Sequence, residues 1–180
     1  MKIKKEDALA LIVDIQERLL PVMEQKNLLL KNTRILMEGL QILDVPMMIT
    51  QQYTKGLGMT DPSLFPFTGT DHYLEKRTFS CWADEGIQQV IQSCHCRQII
   101  LCGIESHICV QQTALDLIHA GYEVILVTDC VSSRKASDKE IALRRMEQEG
   151  VRLTTYESLL FEIMETSLHP RFKEISKLIR

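Results

Sequence analysis

The 180-residue chain, 45% hydrophobic and 25% charged, has the balance of an ordinary globular protein and is long enough for one domain over residues 1–180 without disulfides or a structural metal. Lys plus Arg number 21 against 24 for Asp plus Glu, a formal charge of −3, which removes the electrostatic case for nucleic acid and leaves a small-molecule substrate as the expected partner. No stretch approaches the ~18 to 20 apolar residues that span a bilayer, and Met1-Lys2-Ile3 opens no secretory pattern, so a cytoplasmic protein with no membrane partner and free thiols is expected.

Ala8-Leu9-Ala10-Leu11-Ile12-Val13 is a short continuous apolar run, the signature of a strand buried on both faces of a parallel sheet, and it ends at Asp14. Apolar residues then recur at three- and four-residue intervals from about Gln16 to Leu43, which predicts one long helix with Pro21 in a first turn or a break. Asp44-Val45-Pro46 ends it, and Met47-Met48-Ile49-Thr50 reads as a second strand. From Gln51 to about Asp71 periodicity gives way to turn formers, among them Gly56, Gly58, Pro62, Pro66 and Gly69, so a long loop is predicted. Its Leu57, Leu64, Phe65 and Phe67 either cover a pocket or pin the loop to the core.

Tyr73-Leu74-Glu75-Lys76 predicts a short strand, and Asp84 to Ser93 a helix with Ile87, Val90 and Ile91 on one side. Gln98-Ile99-Ile100-Leu101-Cys102 predicts the next strand, leading through Gly103-Ile104-Glu105-Ser106-His107-Ile108-Cys109 into a helix closed by Gly121. Tyr122 to Val127 follows as a strand. Ser137 with Glu140 three residues on is the capping-box pattern for a helix that ends at Gly150. Val151 to Thr155 makes a last strand, before two helical stretches separated near His169-Pro170. Strands alternating with helices predict an α/β fold with a mostly parallel sheet.

Asp14, Lys76 and Cys109 then fall at the carboxyl ends of strands, where ligands gather in such sheets. A thiol at a strand-to-helix turn faces unpaired N–H groups and a partial positive charge, and is expected to ionise. In acyl transfer or C–N hydrolysis, Cys109 would attack an electrophilic carbon, Asp14 would act as general base, and Lys76 would keep the carboxylate ionised. The residues alone leave duller readings open: Cys109 as a small buried core cysteine, Asp14 as a helix cap, Asp14–Lys76 as a structural ion pair. Cys94-His95-Cys96 has no second Cys/His pair at finger-like spacing, so no metal is expected there, and no cofactor elsewhere.

Leu11-Ile12-Val13-Asp14-Ile15-Gln16, Glu75-Lys76-Arg77-Thr78-Phe79-Ser80 and Gly103-Ile104-Glu105-Ser106-His107-Ile108-Cys109-Val110, taken together and in this order, resemble the motifs of the isochorismatase-like cysteine hydrolases. The resemblance covers nearly the whole chain and leans to the isochorismatase-domain-containing branch. It implies a three-layer α/β/α sandwich with a mostly parallel six-stranded sheet of order 3-2-1-4-5-6, and an Asp14–Lys76–Cys109 triad where the order reverses. It also implies a cis Ile104–Glu105 peptide, an oxyanion hole from the backbone N–H groups of Glu105 and Cys109, a covalent thioester and a homo-oligomer. Gln51, Phe79, Trp82, Ile104 and His107 are the expected pocket residues. Isochorismatases proper carry a small residue in place of the nucleophile, and nicotinamidases carry an Asp-x-His metal pair where this chain has Gln51-Gln52-Tyr53, so neither activity is expected. A thiol-sensing or binding protein derived from the same fold is the alternative.

Overall fold

The computed structural model describes residues 2–68 and 73–180; Gly69 and Asp71 of the predicted loop lie outside them. Its strands are Ala8–Val13 (β1), Met47–Gln52 (β2), Leu74–Lys76 (β3), Gln98–Ile104 (β4), Glu123–Ser132 (β5) and Arg152–Thr154 (β6). They form one six-stranded sheet in the order β3-β2-β1-β4-β5-β6, with every neighbouring pair parallel. β1 and β4 are the central strands and are buried at every residue, as their continuous apolar runs require when helices cover both faces.

The helices are Lys26–Ile42 (α1), Thr54–Leu57 (α2), Glu85–Ser93 (α3), Gln111–His119 (α4), Ala136–Gln148 (α5), Tyr156–Met164 (α6) and Phe172–Ile179 (α7). α1 packs on α6 and α7, and α4 on α5, which supplies the helical layers of the sandwich. Leu36, Met37 and Leu40 of α1 are fully buried, and a Cβ at Gly39 would stand 2.6 Å from the Leu160 side chain, so the α1–α6 contact uses the missing side chain. Among the described residues no helix is long and apolar enough to cross a membrane.

The structure departs from the sequence pattern in four places. The helix predicted from Gln16 begins only at Lys26: Asp14 takes a left-handed backbone (φ 50°), and the Gln16 amide is buried against Gln52 and Gly58. Leu20–Val22 is a short 3-10 turn with Pro21 in its first positions, where a missing N–H costs nothing. The predicted loop is partly regular, since β2 runs on to Gln52, α2 follows, and Pro62–Phe67 forms a 3-10 turn whose Asp61 cap accepts from Ser63. Leu64 in that turn is fully buried and pins it to the core, whereas Phe65 is exposed. Ser137 lies inside α5 and caps nothing; the cap position is Lys135. Thr155, the residue immediately after β6, caps α6 by accepting from the Ser158 N–H.

β4 extends to Ile104 and β5 to Ser132, both longer than their apolar runs. Pairing shifts from Leu101↔Leu126 to Gly103↔Val131, so β5 bulges between them. Gly103 itself sits at φ +119°, and a Cβ there would lie 2.1 Å from the Val13 carbonyl oxygen. Both its backbone angle and the close approach of β1 demand glycine. Gly103→Ala is therefore expected to cost more than about 3 kcal/mol, because backbone on two central strands would have to separate. Urea unfolding of the two proteins measures this, and a loss below about 1 kcal/mol would contradict the close approach.

Candidate functional site

Three strand ends converge at the point where the sheet order reverses. Asp14 follows β1 and is fully buried. Its N–H donates to the Thr50 carbonyl of β2 (3.2 Å), its Oδ1 accepts from the Thr50 hydroxyl (2.8 Å), and its Oδ2 accepts from Lys76 Nζ (2.6 Å). Lys76 ends β3 directly opposite Gln52 of β2, whose Oε1 takes a second Nζ bond at 2.8 Å. The carbonyls of Phe79 (3.1 Å) and Thr78 (3.3 Å) complete the shell. A lysine only 1% exposed is tolerated because every ammonium hydrogen has an acceptor and the carboxylate balances its charge. Burial pulls the Lys76 pKa down, but the charge and hydrogen bond of Asp14, with the Cys81 and Cys109 sulfurs nearby, more than offset it, leaving the pKa raised.

Cys109 comes from the far side of the reversal. The Ile104–Glu105 peptide at the end of β4 is cis. The turn after it, Ser106–Val110, is one turn of π-helix rather than the plain helix start the sequence predicts. Ile108 and Val110 both donate their N–H groups to the Glu105 carbonyl, at 3.1 and 3.2 Å. Glu105 is anchored in turn by Arg134, whose backbone N–H (3.2 Å) and Nε (3.0 Å) both donate to its Oε2. The Cys109 thiol, on a residue only 6% exposed, lies within electrostatic reach of Asp14 and Lys76.

That thiol does not ionise as its position in sequence predicts. Burial, followed by the negative charge of Asp14, pushes its pKa up to about 12 against the pull of Lys76. Desolvation outweighs the field of one helical turn. The resting arrangement is therefore a neutral thiol beside an acceptor carboxylate, and a base is needed to make it nucleophilic. A second thiol, Cys81, stands near the same pair: its Sγ lies 3.8 Å from Thr50 Oγ1, and its backbone N–H donates to Thr113 of α4 (2.9 Å), tying the segment after β3 to the helix behind Cys109.

The predicted pocket residues divide. Ile104 and Glu105 lie in the turn itself. His107 Nδ1 is 2.9 Å from Ser133 Oγ, and its Nε2 is 3.9 Å from Asp138, so it braces the turn against the end of β5 and α5. Phe79 meets the site through its backbone carbonyl, while its ring is 54% exposed. Trp82 packs edge-on against Tyr122 (ring centroids 5.3 Å), at the amino end of β5, and the structure does not join it to the triad. Gln51 donates to Thr60 (2.9 Å), whereas its neighbours Thr50 and Gln52 contact Asp14 and Lys76. Strand alternation carries that information: Thr50 and Gln52 share a face, and Gln51 belongs to the other. Gln16, which accepts from Gln52 N–H (2.7 Å) and donates to its carbonyl (2.9 Å), holds that strand end in place.

Two hydroxyls in the same loops, Ser80 and Ser106, are buried without a hydrogen-bond partner. The Cys94-His95-Cys96 segment follows α3, with Cys94 exposed and Cys96 half-buried, and among the described residues no group of three His, Cys, Asp or Glu side chains is placed to hold a metal ion.

Comparison with known proteins places this arrangement. The family described as Isochorismatase domain matches residues 8–158, a span that contains all six strands and the three converging residues. Isochorismatase domain-containing protein 2 of Danio rerio is 38% identical over 179 residues, covering 99% of this chain and 89% of its own length. Against isochorismatase domain-containing protein 1 of the same fish the identity is 37%, over 93% of this chain but 59% of the longer relative. Among solved structures, one described as MAR1 ribonuclease from Caenorhabditis elegans is 34% identical with a TM-score of 0.93, over 99% of this chain and 92% of its own. The YcaC gene product of Escherichia coli, described as an octameric hydrolase of unknown specificity, is 23% identical with a TM-score of 0.94 over 99% and 89% of the two chains, a likeness of fold. The chain belongs to the isochorismatase family of hydrolases.

Proposed function

We propose that the protein is a cysteine-dependent hydrolase of a small amide or related acyl or C–N substrate. The observation that carries this reading is the buried Asp14 carboxylate, held by Lys76 Nζ at 2.6 Å and the Thr50 hydroxyl at 2.8 Å, with the Cys109 thiol near enough to feel both charges. Asp14 takes the Sγ proton as sulfur bonds to the acyl carbon. The backbone N–H groups of Glu105 and Cys109 form the oxyanion hole, each worth roughly 3 to 4 kcal/mol in such sites. Collapse breaks the C–N bond, and the leaving amine takes the proton from Asp14. Water, deprotonated by Asp14, then adds to the thioester carbon; the C–S bond breaks, the departing Cys109 sulfur takes the proton back from Asp14, and the acid is released. Lys76 Nζ, bonded to Oδ2 at 2.6 Å, orients the Asp14 carboxyl through both halves, and the Ser80 and Ser106 hydroxyls, without a partner among the described residues, are left for polar atoms of the substrate.

A thiol-sensing role needs an acidic cysteine, and a Cys109 pKa pushed up to about 12 argues for a nucleophile activated only when a base is engaged. The net charge of −3 favours a small acyl compound over the polyanion that a ribonuclease, as the C. elegans relative is described, would take. Met59, Phe65 and Phe79, on segments following β2 and β3, are exposed apolar side chains that a second copy would cover in a homo-oligomer.

Incubation with a panel of primary amides, followed by intact-mass analysis, tests the chemistry. Acyl adducts are expected on the wild type or on Asp14→Asn, and Cys109→Ser is expected to lower turnover by at least about a thousandfold with its unfolding midpoint unchanged. No adduct and no turnover across the panel would sink the proposal. The pH dependence of Cys109 alkylation by iodoacetamide gives a second check. Because the thiol pKa is raised, the rate should climb with pH through about 10 without a plateau. Removing the Asp14 charge lowers that pKa, so Asp14→Asn should alkylate faster than wild type at a given pH while losing turnover. A wild-type plateau near neutral pH would instead favour the sensing role.

A further inference from the structure

Of the six cysteines, Cys81, Cys102, Cys109 and Cys130 are buried, whereas Cys94 is exposed and Cys96, two residues on, is half-buried. The proposed hydrolysis uses neither of the last two. They lie in the turn between α3 and the first residue of β4, at the end of the parallel sheet away from the strand ends that carry Asp14, Lys76 and Cys109.

That turn is anchored on both sides. Cys94 caps α3, its N–H donating to the Ile91 carbonyl, and the His95 N–H donates to the Gln92 carbonyl, both at 3.2 Å. Beyond them the Arg97 N–H donates to the Asp7 carbonyl and the Arg97 carbonyl accepts from the Glu123 N–H, both at 2.9 Å. Between the anchors His95 takes a left-handed backbone, φ 51°. Such a residue curls the chain as a helical residue does, in mirror image, so the Cα atoms on either side of it stand about 5.5 Å apart rather than the roughly 6.7 Å of an extended segment. Disulfides most often span about 5.5 to 6 Å between Cα atoms, so the turn holds its two cysteines at bridging distance.

The sulfurs share one neighbourhood as well. Burial and then the charge of Cys94 push the Cys96 thiol up to about 11. Both sulfurs also lie within electrostatic reach of the Tyr122 hydroxyl. Cys96 packs against the core, while Cys94 stands open to solvent beside the exposed His95. The two thiols are thus unequal: one meets whatever approaches, and the other waits behind it.

We propose that Cys94 and Cys96 form a redox-active dithiol, a second covalent site oxidised by a small disulfide of the glutathione kind. Cys94 attacks one sulfur of oxidised glutathione, whose S–S bond breaks, and its proton passes through solvent to the glutathione that leaves. Cys96 then attacks the Cys94 sulfur, its proton passes to the second departing glutathione, and the Cys94–Cys96 bond closes. Two electrons move from the protein to the oxidant, which ends as two thiols. Once Cys94 carries glutathione its charge no longer opposes ionisation of Cys96, and a thiolate of high pKa is intrinsically the stronger nucleophile. Closure draws on neither Asp14 nor Cys109.

Treatment of the reduced full chain with millimolar oxidised glutathione, quenched in acid and followed by intact mass and peptide mapping, tests the proposal. The wild type should pass through a singly glutathionylated species and end two hydrogens lighter, with Cys94 and Cys96 joined. Cys96→Ser should stop at the mixed disulfide on Cys94. Cys94→Ser should react at least about tenfold more slowly, because the open thiol is gone, and Cys109→Ser should close as fast as the wild type. No reaction, a wild-type chain that accumulates as the mixed disulfide, a bridge that uses any of the four buried cysteines, or an unchanged rate in a folded Cys94→Ser would each overturn the proposal. If Cys96→Ser does not fold, the linkage mapped in the wild type decides.

Discussion

The buried ammonium of Lys76 is the constraint around which the site is built. An unpaired charge at 1% exposure costs several kcal/mol even after relaxation, so the chain must bring acceptors to it rather than it to solvent. It does so from three directions: Asp14 from β1, Gln52 from β2 and the Thr78 and Phe79 carbonyls from the turn after β3. Those demands fix much of what surrounds them. Gln52 must present its side chain to Lys76, so its backbone is held by Gln16, and Gln16 can do this only by leaving the helical path that its neighbours in sequence favour. The strained-looking stretch between β1 and α1 is thus the consequence of satisfying one lysine.

The same lysine explains how two residues on one side of the sheet reversal can share a thiol on the other. Asp14 and Cys109 follow β1 and β4, neighbouring strands that pass closely because Gly103 presents no side chain to Val13. With Oδ2 held by Lys76 and Oδ1 by Thr50, the orientation of the Asp14 carboxylate is fixed. Glu105 and His107 perform the corresponding task for the turn that carries Cys109, through Arg134 and Ser133 at the end of β5. Asp14 and the turn that carries Cys109 are therefore each braced by a strand they do not follow.

What the sequence discloses follows from how local the signal is. Continuous apolar runs identified β1, β4 and β5, and strand ends marked Asp14, Lys76 and Cys109, because burial and chain direction leave local traces. The start of α1 was misread because Leu19, Leu20 and Met23 keep helical spacing although the chain around them is shaped by long-range bonds from Gln16 and by Glu24 N–H donating to Ser133. Gln51 and Gln52 look alike in the sequence until β2 is known to run on to Gln52, which puts Gln52 on the face of Thr50. Trp82 stands six residues beyond Lys76 in sequence, but its indole packs on Tyr122, at the amino end of β5. The Cys109 environment was legible as a location and not as an acidity, since desolvation depends on everything packed above the turn.

Acidity is in fact a poor guide to which thiol the proposed reaction uses. Cys81 and Cys109 both lie beside the Asp14–Lys76 pair, and burial pushes both thiols well up, to about 11 and about 12, so acidity does not separate them. Yet Cys81 is fully enclosed, and its sulfur meets the Thr50 hydroxyl, a group that already donates to Asp14 and has no capacity as a base. Cys109 keeps a small exposed area and lies within reach of the Asp14 charge. A nucleophile must reach both a base and a substrate, and a raised pKa is compatible with catalysis when proton transfer accompanies attack. Access and the neighbour within reach of the sulfur, rather than the resting charge on it, single out Cys109.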